Sequence, residues 1–295
     1  MERTMEEPKE LKPFMQACFT EAKEKLRVSE RVGLVIGVVA VGAAFIPEDW
    51  SLLAWGVAVG SLGLVVWHQW LGYGFREQYG CAEGIRNQYL LSDGLGCKVS
   101  PSILAELQVE FSGLEADEEP YYTSHLEPGA KRLWMLVWES AFWSKDLQKH
   151  LSAKFRKKFF LSAGFMVAAM CLGLFGPEKV IMLKVLPPAF ALVVGLSFGW
   201  KWVESKQVQT LCEKTAERCR ERVEGGATSP SDEEELCEVM RVVVRYSSTM
   251  LTAYPAQDEL HKLREEDLNA GWDAVVAGLA GSEWGKVDGG APKPA

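Results

Sequence analysis

The sequence predicts an all-α integral membrane protein, with four transmembrane helices as two hairpins plus cytoplasmic helical regions. Three observations lead there. The apolar residues are gathered into two blocks, 32–70 and 159–202, each block is divided by a short polar turn, and basic residues cluster on one side of both. Average composition hides this: 48% hydrophobic residues and a mean hydropathy of −0.03 are values an ordinary soluble protein shows.

Residues 1–31 read as a cytoplasmic N-terminal helix. They contain no basic region leading into an apolar run, so no cleavable secretory signal is expected. The first hairpin follows at 32–70. A bilayer's hydrocarbon core is about 30 Å thick and needs roughly 17–25 apolar residues in a helix. Residues 32–46 are uncharged but only 15 in number. Arg31 can snorkel at one end, and Pro47-Glu48-Asp49 turns the chain at the other. Residues 51–70 carry no Asp, Glu, Lys or Arg.

The second hairpin, 159–202, places a span at 159–175 and a turn at Gly176-Pro177-Glu178-Lys179. Its last stretch contains Lys184 and Pro187-Pro188. A proline pair interrupts the helical hydrogen-bond ladder, so either a kinked helix runs throughout or a short interfacial piece precedes a span starting near Pro187. The second arrangement is preferred. It places Lys184 at an outer mouth rather than in hydrocarbon, where its charge costs about 2.5–3.5 kcal/mol. Trp50, Trp55, Trp67, Trp70, Trp200 and Trp202 lie at or near span ends, where an apolar ring with a polar N–H suits the headgroup level.

Orientation follows from Lys23, Lys25, Arg27 and Arg31 before the first span, Lys154, Arg156, Lys157 and Lys158 before the third, and Lys201 and Lys206 at and beyond the end of the fourth. The two short turns hold only Lys179 and the nearby Lys184. Basic residues stay on the cytoplasmic side, which predicts a multi-pass protein of the cell inner membrane with both termini cytoplasmic.

The remaining segments read as helices: a cytoplasmic insert at 71–158, C-terminal helices at 203–284, and a disordered tail at 285–295. Residues 71–95 continue the second span, and Asp93-Gly-Leu-Gly96 is a helix stop. Ser100-Pro101 opens a helix as N-cap and first-turn proline, running to about Phe111. A helix from 128 to 158 runs into the third span, with Trp134, Trp138 and Phe142 near one face as a packing surface or, less simply, a ligand-stacking one. Ser231-Asp-Glu-Glu234 is a capping box, and Leu236, Met240, Val243, Val244 and Met250 form an expected buried stripe behind it. Pro255 ends that helix, and a last amphipathic one covers 257–279.

Three small-xxx-small signatures lie in the spans: Gly33 with Gly37, Gly56 with Gly60, and Gly195 with Gly199. Glycines at that spacing let helix backbones approach closely, within one protomer or between two, and the sequence does not decide which. No Asp, Glu or Arg lies inside a span, which weighs against proton-coupled carriers and voltage sensors. There is no HExxH, GxSxG or GxxxxGK[ST] pattern, and the seven cysteines show no zinc spacing. The chain is therefore not expected to be an enzyme, and neither a cofactor nor a metal is predicted. A net charge of −8 argues against nucleic acid as a partner.

The order of cytoplasmic head, tight hairpin, helical insert, second hairpin and helical tail resembles the SMODS-associated four-transmembrane effector family of bacterial cyclic-oligonucleotide antiphage systems. Glu83-x-x-Arg86 with Leu90-Leu91-x-Asp93-Gly94-Leu95-Gly96, Glu139-Ser140-x-Phe142, and Pro255-x-x-Asp258 with Leu268-Asn269-x-x-Trp272 resemble cytoplasmic motifs of such families. The resemblance implies a toxic effector that disrupts the inner membrane when a nucleotide messenger signals infection. The leading expectation is thus a regulated membrane effector in antiphage defence. It oligomerises through Gly37, Gly60 and Gly199 and permeabilises the lipid bilayer in response to a cyclic nucleotide or protein trigger. A membrane-anchored scaffold recruiting a cytoplasmic partner, and a small channel or transporter, are the alternatives.

Overall fold

The structure, a computed structural model, describes residues 10–43, 46, 50–111, 121–122, 126–175, 181–224, 231–256, 258–279 and 284; for 51, 54, 169, 172–175, 181–188 and 191 it describes the helical backbone alone. Among the described residues there are seven α-helices and no strand: α1 (Leu11–Ala43), α2 (Ser51–Leu95), α3 (Pro101–Glu110), α4 (Ala130–Phe175), α5 (Ile181–Glu224), α6 (Asp232–Met250) and α7 (Asp258–Gly278).

Helix boundaries follow the local chemistry. α2 stops where Gly96 adopts φ +68, a left-handed conformation that side-chain-bearing residues resist. α3 begins at Pro101, whose missing N–H is no loss in a first turn. At α6 both halves of the capping box are made: the Glu234 N–H donates to the Ser231 hydroxyl and the Ser231 N–H to the Glu234 carboxylate, each at 3.3 Å. α5 is continuous through Pro187-Pro188, so the preferred separation into an interfacial piece and a span gives way to one helix. Both prolines fall within its first eight residues, and most of the ladder lies beyond them.

One expectation fails at the level of fold class. No helix among the described residues is long and apolar enough to cross a membrane. The assignment as an integral membrane protein with four transmembrane helices is corrected accordingly. So are the multi-pass inner-membrane location with cytoplasmic termini, the lipid-spanning hairpins and the pore-forming antiviral role. The runs are uncharged, but their apolar stretches are short or diluted. α1 offers only residues 32–43 beyond Arg31, and α2 dilutes its uncharged run with Gly56, Gly60, Ser61, Gly63, His68 and Gln69. The side chain of Lys184, expected at an outer mouth, lies outside the described residues, as do the turn at 176–180 and the tail at 285–295.

The chain divides into two compact units. Unit 1 comprises Met1–Phe19, Gly80–Gln148 and Gln207–Ala295; unit 2 comprises Thr20–Tyr79 and Lys149–Lys206. The core of unit 1 is built on Met15, Tyr89, Leu133, Trp134, Val137, Val239 and Tyr246, all buried. That of unit 2 is built on Leu26, Ile36, Phe75, Phe155, Val194 and Phe198. α6 buries only part of the expected stripe: Val243 and Met250 face inward as expected, and Leu236 and Val244 do not. Val239, Val242, Val243, Tyr246 and Met250 are buried, whereas Leu236 and Val244 are 38% and 63% exposed.

Candidate functional site

Unit 1 encloses a polar network centred on Arg86. One turn of α2 places Glu83 beside it, and their side chains pair at 2.8 Å with both buried. The same guanidinium lies 5.4 Å from the Tyr246 ring centroid on α6 and 3.4 Å from its hydroxyl. That hydroxyl sits 2.8 Å from Ser140 Oγ and 3.0 Å from Ser144 Oγ, both on α4. Ser247 donates to Asn87 Oδ1 at 2.7 Å, a second polar tie between α6 and α2.

Burial is the largest single influence and works against the charge on Arg86, but the Glu83 carboxylate together with Tyr246, Tyr122 and Tyr121 outweighs it and holds the guanidinium protonated above its usual range. Tyr246 is pushed up to about 12 by burial, offset in part by Arg86. The Cys212 and Cys219 thiols are each pushed up to about 12, chiefly by burial, so neither is a nucleophile near neutrality.

The stretches singled out in sequence meet in this unit. Arg132 donates to Asp93 Oδ1 at 2.7 Å, tying the start of α4 to the end of α2. Trp272 of α7 packs at right angles on Trp138, ring centroids 5.6 Å apart, and lies 5.7 Å from Phe142. Trp134 and Trp138 are buried and Phe142 half-buried, so these aromatics are a packing surface and not an open stacking face. Neither Tyr246 nor Arg132 lies in a sequence pattern that marks it as a partner, and Glu83 and Arg86 entered the sequence reading only as part of a family resemblance.

Unit 2 holds a second polar cluster. Glu30, 4% exposed, accepts from Lys158 and lies 3.6 Å from Lys154. His68 Nδ1 is 2.9 Å from the Ser29 carbonyl oxygen, and Arg76 pairs with Glu204 at 2.6 Å. Burial, with the Lys158 and Arg76 charges beside it, lowers Lys201 to about 8 against the opposing pull of Glu30. Burial and then the Lys201 charge lower His68, so its imidazole is neutral near pH 7.

The association glycines separate into two groups. A methyl group on Gly33 would stand 3.0 Å from Val194, on Gly37 3.0 Å from Phe165, on Gly195 3.1 Å from Ser162 and on Gly199 3.0 Å from Phe159. Those four serve close packing within the chain. Gly56 and Gly60, with Gly63, have nothing within 4 Å of that position.

These three lie beside an uncovered apolar stripe on α2. Leu52, Trp55, Val59, Leu62, Val66, Trp70 and Tyr73 are between 52% and 88% exposed. Their spacing of three and four residues puts them on one side of the helix. The other helices of unit 2 also leave large apolar side chains open, among them Val38, Phe160, Val167, Leu196 and Trp200. No family model matches the chain, and neither a curated protein nor a solved structure does.

Proposed function

We propose that this chain is a regulated, self-associating helical protein whose copies join through the outer face of α2. The observation that carries the reading is the uncovered stripe from Leu52 to Tyr73, with Gly56, Gly60 and Gly63 open beside it. Large apolar patches on an isolated chain mark surfaces that something else covers. The spacing here, close to 3.5 residues, is that of a helix seam. Glycines flanking the seam let a second backbone come near, which adds van der Waals contact along the interface. The polar network of unit 1 supplies the regulated part: its buried charges and hydroxyls depend on one another, so a ligand or partner that draws one member away leaves the others costly to keep buried.

The test is crosslinking of Val59→Cys in intact cells, combined with sedimentation of the purified chain. Gly60→Ile fills open space and leaves the protomer's own packing alone, so it separates association from folding. The expected result is a Val59→Cys crosslink that Gly60→Ile abolishes while helicity is kept. A chain that sediments as a monomer and gives no crosslink overturns the reading.

A further inference from the structure

We infer that Cys18 and Cys81 form an oxidation site, a dithiol that a peroxide converts to a disulfide joining α1 to α2. The inference stands apart from the α2 seam and does not depend on it. The Cys18 thiol donates to Cys81 Sγ at 3.4 Å, across 63 positions of sequence. Both residues belong to unit 1. Cys18 is fully buried and Cys81 half-buried, so one sulfur of the pair meets solvent and the other waits behind it. An S–S bond is about 2.05 Å long, which leaves about 1.4 Å to close. Side-chain torsions and a slight approach of two helices cover that distance. Reaction with an oxidant requires a reachable sulfur, and a disulfide requires a second thiol beside it. The Cys18–Cys81 pair meets both conditions. By contrast, burial pushes the Cys212 and Cys219 thiols up to about 12, and the neighbour of Cys212 is the Met250 thioether at 3.8 Å.

The chemistry runs in two steps. Cys81, as thiolate, attacks one oxygen of hydrogen peroxide; the O–O bond breaks, hydroxide leaves and is protonated to water, and Cys81 becomes a sulfenic acid. Cys18 then gives up its proton and attacks the Cys81 sulfur. The S–O bond breaks, the departing hydroxide takes a proton to become a second water, and the S–S bond forms. Two thiols are oxidised and one peroxide is reduced to two waters. A dithiol reductant reverses the change by exchange, ending as its own disulfide. The new bond closes a loop of chain from residue 18 to residue 81. It restricts the unfolded chain far more than the folded one, in which the two helices already hold the sulfurs together. Glu83 and Arg86 follow Cys81 directly on α2, so the oxidised form ties α1 to the stretch of helix that carries the buried ion pair.

The test uses the full-length chain with the exposed Cys97, Cys171 and Cys237 changed to Ser, which leaves Cys18, Cys81, Cys212 and Cys219. The folded chain is treated with a small excess of hydrogen peroxide, denatured, alkylated and digested with trypsin, and the peptides are identified by mass spectrometry. The expected product is the Cys18 peptide linked to the Cys81 peptide, with Cys212 and Cys219 alkylated, and the linkage disappears after dithiothreitol. Unfolding in urea before oxidation is expected to lower the yield of that linkage by roughly tenfold or more, because the fold no longer holds the sulfurs together. The oxidised chain should melt roughly 3–6 °C above the reduced one. Cys18→Ala removes the second thiol and is expected to leave Cys81 as a sulfenic acid that dimedone traps. A folded chain that forms no Cys18–Cys81 linkage, or forms it equally well in urea, overturns the inference. So does a melting temperature that oxidation leaves unchanged or lowers. Cys81 sulfenic acid that accumulates with Cys18 still present also overturns it, since the sulfurs would then be within reach of the oxidant and not of each other.

Discussion

Replacing Arg86 by Met tests whether the network of unit 1 is held by its buried ion pair. Methionine keeps most of the side-chain volume, so the change removes charge and hydrogen bonding with little cavity. Glu83, 4% exposed, is left as a buried carboxylate without the guanidinium 2.8 Å away. Removing one partner of such a pair costs about 3–5 kcal/mol, because the stranded charge keeps its desolvation cost. Glu83 retains at least one further interaction, which sets the expectation near the lower figure. For a domain of this size, about 3 kcal/mol lowers the midpoint of thermal unfolding by roughly 6–12 °C.

The sign of the pH dependence is also fixed. A buried carboxyl that has lost its neighbouring guanidinium has a folded-state pKa above its unfolded value near 4.3, so the deficit is present at pH 7 and shrinks as pH falls toward that value. The assay is thermal unfolding followed by circular dichroism at pH 7 and pH 5, with Glu83→Gln/Arg86→Met as the matched double variant. Removing both charges is expected to recover at least half of the loss. A single variant within about 1 kcal/mol of the parent, or a double variant as unstable as the single one, refutes the argument.

Three further outcomes follow from packing and charge. Gly94→Ala sets a methyl group 2.7 Å from Leu133 Cδ1 and 3.2 Å from its Cα, and the backbone contact cannot yield; a loss of about 1–3 kcal/mol in urea unfolding is expected, whereas Gly63→Ala, with open space around it, leaves stability equal or higher. His68 is held below its ordinary pKa by burial and by Lys201, so the unfolded chain takes up a proton that the folded one refuses. Stability should therefore fall as pH drops below about 6.5, and His68→Gln should flatten the melting temperature between pH 7 and 5. Glu30→Gln, at a buried carboxylate shared by Lys154 and Lys158, should lower the melting temperature well beyond Glu21→Gln, whose partner Lys25 is one helical turn away at the surface.

What could be read in advance was local. The stop at Gly96, the opening of α3 at Pro101 and the Ser231 capping box each depend on a few neighbouring residues, and each stands in the structure. The length of α4 was also legible, since nothing between Ala130 and Phe175 interrupts a helix. Direction was not. α6 has two apolar stripes, one through Val239, Val243 and Tyr246 and one through Leu236, Met240 and Val244, and periodicity alone does not say which meets the core. The uncharged blocks were misread for a related reason. Counting charges in a window treats Gly, Ser, His and Trp as equal to Leu, and it cannot see that Ser61, His68 and Ser162 face inward. The Arg86 network was invisible because Ser140, Tyr246 and Arg86 are far apart along the chain.

The Gly129 N–H donates to the Gly94 carbonyl oxygen at 2.7 Å, and Arg132 grips Asp93 beside it. The peptide between those two anchor points thus sets out and comes home at one spot, like a bight in a rope whose two parts are lashed together. A single tryptic cut after Lys98, exposed and outside any helix, would open the bight without loosening the lashing. The nicked molecule should then travel as one particle through gel filtration, come apart into two fragments only in denaturant, and accept a foreign peptide spliced at the same place.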